Sequence, residues 1–170
     1  PLEAGYGLTR ACLEVCAEFR NPVAVITKAS LVTRGLDVLN TLHHEAYVRV
    51  YFSVPFLDPD VARKVEPSAP SPAKRLAAMR AVSEAGVPTG ISIAPVIPGL
   101  NEDEIPALLR AAREAGASRA TYGLLRLPGS TEAVFCDRLA AALPDRVGKV
   151  LGRIRQVRGG PLSETRFFKR

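Results

Sequence analysis

The chain has 170 residues, 47% hydrophobic and 24% charged, with 23 basic against 17 acidic side chains for a formal charge of +6. This excludes a disordered tail, a collagen-like fibre and a mini-protein, since such a chain buries roughly two-thirds of its unfolded surface without help from disulfides or metal. Three cysteines (Cys12, Cys16 and Cys136) are too few for a secreted framework, and no apolar run approaches the ~18 residues of a membrane span, so a cytoplasmic protein with no membrane partner is expected.

Leu8, Cys12, Leu13, Cys16 and Phe19 recur at helical spacing, and Asn21-Pro22 closes that helix because a residue before proline avoids the helical region. Val23 to Thr27 is short, β-branched and apolar without alternation, as in a strand covered on both faces, and Lys28 ends it. Helical spacing returns over 31–42 through Leu31, Leu36, Leu39 and Leu42, and Tyr47 to Val54 reads as a second strand. Ser71-Pro72 starts a helix whose buried stripe is Leu76, Met79 and Val82 and whose stop is Gly86. A third strand spans about Thr89 to Val96. Asn101 and Glu104 have capping-box spacing for the next helix, although Pro106 draws its start toward Asp103; Leu108, Leu109 and Ala112 pack and Gly116 ends it. A fourth strand, Arg119 to Arg126, precedes two helices. Gly129-Ser130 opens the first, with Val134, Phe135 and Leu139; Pro144-Asp145 starts the second, with Val147, Val150, Leu151 and Ile154.

Strands that alternate with helical segments, with no tight hairpin between them, require parallel pairing and an α/β fold. The expected architecture is a partial (β/α) barrel over residues 1–157, helices outside, with a basic extension over 158–170. Four strands cannot close an eight-stranded barrel and the chain opens on a helix, so a missing front end is expected, and the sheet edge it exposes would invite a homodimer.

In parallel architectures the ligand lies at the carboxyl ends of the strands. Lys28, Ser53, the Ala94-Pro95-Val96-Ile97-Pro98-Gly99 turn and Arg126-Leu127-Pro128-Gly129 stand there; a lysine and a serine can bind a carboxylate and hydroxyls, and proline-glycine loops bring backbone close to a flat ligand. All four are expected to face one hollow. Glu66 and Arg75 flank a loop stiffened by three prolines, where an ion pair would order it over a ligand. Cys12 and Cys16 have part of the C-x3-C-x2-C spacing of a four-iron cluster, but the third position is Phe19 and the pair shares a face with Leu8 and Leu13, which reads as core packing; Cys136 reads the same way. His43 and His44 end a helix and have no third ligand nearby, so no metal site is assigned.

Several runs carry a family resemblance: Arg10-Ala11-Cys12-Leu13-Glu14, Val25-Ile26-Thr27-Lys28, Phe52-Ser53-Val54, the stretch from Glu66-Pro67 to Arg75-Leu76, Ala94 to Asn101, and Leu125 to Gly129. Together they resemble the radical S-adenosylmethionine (SAM) proteins of the DNA repair photolyase type, relatives of spore photoproduct lyase. The resemblance implies about four β/α units of a six-unit barrel, a lyase-like enzyme that uses SAM and a 4Fe-4S cluster, and a partner that includes nucleic acid. It also implies that the cluster loop lies outside this chain, which alone would be inactive. Carried over by position, Lys28 would reach the cofactor's methionyl carboxylate and Ser53 its ribose or amino-acid portion. Ile93 with Pro95 would press on the adenine, with Leu125 and Arg126 at the last strand's adenine contact, and Glu66 and Arg75 would order the loop. No catalytic residue is assigned. Two other readings are carried beside this one: a Schiff-base aldolase-like barrel using Lys28, and a non-enzymatic anion-binding module using Arg166, Lys169 and Arg170 of the tail.

Overall fold

A computed structural model describes residues 2–162. Helices α1 (Leu2–Tyr6) and α2 (Leu8–Glu18) precede β1 (Val23–Thr27), and a 3-10 segment, Ser30–Gly35, leads into α3 (Leu36–Glu45) and β2 (Val48–Ser53). Helices α4 (Pro59–Val65) and α5 (Pro72–Glu84) follow, then β3 (Thr89–Val96), α6 (Ile105–Glu114), β4 (Ala117–Leu124), α7 (Thr131–Ala142) and α8 (Val147–Arg158). The four strands form one parallel sheet in the order β1-β2-β3-β4, with Thr27 beside Phe52 and Ser53 beside Ser92, so all carboxyl ends lie on one rim. The basic tail that includes Arg166, Lys169 and Arg170 lies outside the described residues.

Local chemistry sets the helix starts. Ser71 Oγ accepts from the Lys74 N–H at 3.3 Å with Pro72 in the first turn, and Asp58 Oδ1 accepts from Asp60 and Val61 at 2.8 and 3.2 Å with Pro59 in the first turn. The second of these, α4, was not expected. Its signal was the Asp58-Pro59 pair, which reads as a cap only once a helix is known to follow.

Alternate sheet residues divide between two faces. Val50, Phe52, Ile91 and Ile93 join Leu39, Leu42, Met79, Val82 and Leu108 in one core beneath α3, α5 and α6, each buried side chain contributing roughly 1.5–3 kcal/mol. The other face carries Ile26, Tyr51, Ser53 and Ser92. Here β1 departs from the two-sided burial read from its sequence: Ile26 is 69% exposed, and among the described residues β1 pairs with β2 alone. The apolar run reflects β-propensity and not double burial. On this face a Cβ at Gly90 would lie 2.6 Å from the Tyr51 ring, so glycine lets that ring cross onto β3.

Other departures are local. Leu76 is only half-buried on α5, where Arg75 and Ala78 complete the buried stripe, and Leu109 and Val134 are exposed. The fourth strand begins and ends two residues earlier than read, which places Leu125 and Arg126 in the loop beyond it.

A second core sits past the rim. Phe56, Ile97 and Leu127, from the loops after β2, β3 and β4, pack with Ala62 of α4, Leu139 of α7, and Val150 and Ile154 of α8. Gly99 marks this contact, with φ +83 and an ideal Cβ only 2.9 Å from the Lys149 carbonyl of α8; no L side chain suits either condition. The last two helices therefore lie against the rim loops, whereas the sequence placed them with the outer layer.

Candidate functional site at the β1 rim

Because α4, α7 and α8 cover the rim beyond β2, β3 and β4, the open space is at β1. A cavity of about 1150 Å³ lies there, walled by α1, the 28–35 segment and the 65–70 loop, and lined by Lys28 and Glu66. Lys28 follows the last residue of β1, and its Nζ lies 2.5 Å from Glu66 Oε1. Glu66 Oε2 lies 2.7 Å from Arg75 Nη2. The rest of the Arg75 guanidinium is also used: Nε donates to the Pro70 carbonyl at 2.7 Å and Nη1 to the Ser53 carbonyl at 2.8 Å. The expected Glu66–Arg75 pair thus exists and extends to Lys28. Arg75 is 2% exposed at the side chain and Glu66 9%, whereas Lys28 is 46% exposed. A buried cation needs a partner and filled donors, and Arg75 has both.

The other expected site residues do not join this cavity. Ser53 is buried, its Oγ donating to the Ala94 carbonyl at 3.3 Å. Ile93 is 2% exposed within the main core, because its register places its side chain on the helix-covered face. Pro95 is half-buried within β3, Leu125 is half-buried beside the second core, and Arg126 is exposed on the loop after β4. The single shared hollow is therefore corrected: these groups share a rim, but of them Lys28 alone lines this cavity.

Asn101 is fully buried and does not cap a helix. Its Oδ1 accepts from the Ile97 N–H at 2.7 Å, and its Nδ2 donates to the Pro55 and Pro95 carbonyls at 2.7 and 3.0 Å. Glu104 Oε2 accepts from the Leu57 N–H at 2.5 Å. The two residues read as a capping box instead tie the loops after β2 and β3 together.

Arg10 also lines the cavity and was not singled out for it. It grips Asp37 of α3 with two bonds, at 2.8 and 2.6 Å. That hydrogen bond holds the Asp37 carboxyl down to about 2 and raises the guanidinium further above its ordinary value. The signal in sequence would have been a contact across 27 residues, which spacing does not reveal.

Cys12 is exposed on α2, a correction to its core assignment, because the helix turns that face outward; Cys16 and Cys136 are half-buried against the two cores. Among the described residues no group of three or more His, Cys, Asp or Glu is placed to hold a metal ion. No helix among them is long and apolar enough to cross a membrane.

The profile of the Radical SAM superfamily matches residues 4–112. The chain belongs to the radical SAM superfamily. Its four parallel strands alternating with helices are consistent with part of a radical SAM barrel. It is similar to uncharacterized proteins of Mycobacterium tuberculosis and Mycobacterium bovis, each 32% identical over 149 residues that make up 86% of this chain and 44% of the relative. An uncharacterized protein of Methanocaldococcus jannaschii is 28% identical over 104 residues, 61% of this chain and 39% of its own. The chain thus spans less than half the length of these curated relatives. Radical SAM proteins are in general enzymes that use SAM and a 4Fe-4S cluster. The half-exposed Lys28 ammonium at a cavity fits the carboxylate of SAM. The cluster is not matched: Cys12 and Cys16 share one helix, Phe19 occupies the third position, and no other donor joins them among the described residues.

Proposed function

We propose that this chain supplies the later strands of a radical SAM barrel of the DNA repair photolyase and spore photoproduct lyase type, and that Lys28 receives the carboxylate of SAM. The observation that carries this reading is the Lys28 ammonium, 46% exposed and held at a strand's carboxyl end over the cavity. When bound, SAM supplies hydrogen-abstracting radical chemistry. The chain's own part is to bind and shield: Lys28 contributes a charge-assisted hydrogen bond, and the 66–72 loop, tied to β2 through Arg75, walls the cofactor from water. Within the same reading, the Ser53 carbonyl anchors Arg75, Pro95 stands near the carboxyl end of β3, and Leu125 and Arg126 belong to the loop after β4. The cluster belongs to a segment other than the described residues, nucleic acid is the substrate of the whole protein, and the chain alone is inactive.

Calorimetric titration of the chain with SAM tests the central point. Lys28→Met is expected to weaken binding about tenfold or more, the loss of one hydrogen bond to a charged group; equal affinity of variant and wild type would reject the assignment. Iron and sulfide analysis of the whole protein after reconstitution is the companion measurement, and a protein that takes up no cluster would remove the photolyase-type reading.

A further inference from the structure

The sequence assigns Glu66 to loop order alone, yet its geometry does more. Its carboxylate bridges two cations in very different surroundings: Arg75, 2% exposed, and Lys28, 46% exposed. An enclosed guanidinium without a counter-charge is strongly unfavourable, whereas a half-exposed ammonium is stabilised by water. The negative charge of Glu66 is therefore committed to Arg75. The triad carries a net charge of about +1, located at Lys28 on the cavity wall. Glu66 gives Lys28 direction and leaves its charge available.

We propose that Glu66 is a positioning residue that aims the Lys28 ammonium at a carboxylate-bearing ligand in this cavity, an inference that rests on the reading of Lys28 given above. The rigidity comes from a continuous chain of bonds. The Ser53 carbonyl at the end of β2 accepts from Arg75 at 2.8 Å, Arg75 fixes Glu66 Oε2 at 2.7 Å, and Glu66 Oε1 holds Lys28 at 2.5 Å. A lysine otherwise swings on a flexible four-carbon stem. Held by one of its three donors, it keeps the other two for a ligand and loses little freedom when one arrives.

The test compares SAM with its decarboxylated analogue by calorimetry on four chains: wild type, Lys28→Met, Glu66→Asp and the double variant. Glu66→Asp keeps the charge but shortens the reach by one methylene, so the carboxylate no longer spans both cations. Wild type is expected to prefer the carboxylated ligand by about tenfold or more, and Glu66→Asp to cut that preference to about twofold while the analogue binds as before. On the Lys28→Met background, where the preference is already gone, Glu66→Asp should change nothing further, the signature of a residue acting through another. The proposal is overturned if Glu66→Asp retains the wild-type preference, or if it weakens both ligands equally as a purely structural residue would. Should that variant not fold, Glu66→Gln measured in about 0.5 M salt, where the added positive field is screened, must show the same loss of preference or the proposal fails. A wild-type chain with no preference at all sinks the Lys28 reading itself, which separates that failure from a failure confined to Glu66.

Discussion

Arg75 sits where its chemistry is most demanding: a permanent cation enclosed at 2% side-chain exposure, with the Pro70 and Ser53 carbonyls and Glu66 around it. Arg75→Met would take this donor from the Pro70 and Ser53 carbonyls and leave the enclosed Glu66 with Lys28 alone, at a cost of about 3 kcal/mol in urea unfolding. The same denaturation on an exposed arginine such as Arg119 is expected to move by no more than roughly 0.5 kcal/mol. The Arg10–Asp37 pair lies at the other extreme, both partners on the surface. Asp37 titrates at about 2 against an ordinary 3.8 because Arg10 hydrogen-bonds its charged form. A lowered folded value means that the pair's contribution is complete above 3.8 and disappears as pH falls through about 2. Wild type and Asp37→Asn should therefore differ slightly in stability at neutral pH and converge in acid, and a gap that widens on acidification would contradict this. Sequence alone showed Glu66 and Arg75 at opposite ends of a proline-rich loop. It could not show that Lys28, 38 positions before Glu66, would be the third member, because only the parallel pairing of β1 with β2 brings the end of β1 beside the segment that follows β2.

Among the elements, the strand-helix alternation was legible because each piece carried its own local signal. The third strand, read at about Thr89 to Val96, has those observed bounds, and α5 was marked by its serine cap and proline start. Helix α4 escaped, being seven residues long with only Val61, Ala62 and Val65 to mark its apolar face. What local signals could not disclose was which surface α7 and α8 would cover. Gly99 is the point where that choice is recorded, and Gly99→Ala tests it: the φ of +83 strains any L residue and the new methyl meets the Lys149 carbonyl. The substitution is expected to cost roughly 1–2 kcal/mol in backbone strain alone and to expose α7 and α8 to limited proteolysis while the sheet core stays resistant. Cleavage spread evenly over the chain would show that α8 does not depend on this contact.

At the scale of the molecule, the sheet has two open edges among the described residues, and β1 offers an unpaired backbone beside the 69% exposed Ile26. Such edges associate. The chain is expected to self-associate as its concentration rises, the homodimer drawn from the sequence, and Ile26→Lys to shift it toward monomer in light-scattering chromatography through charge at the edge; an unchanged mass distribution would place any association elsewhere. The sequence by itself determined the parallel α/β class, three of the four strands nearly to the residue and the charged loop, because periodicity, caps and turn residues act over a few positions of chain, while the family likeness rested on the resemblance of a few residue runs. Only the tertiary structure decided that Ile93 faces the core, that Asn101 ties two loops instead of capping a helix, that a second core covers the rim loops, and that Lys28 alone, among the strand-end groups first singled out, opens onto the cavity. These outcomes depend on register and on contacts between residues distant in sequence, which no local pattern encodes.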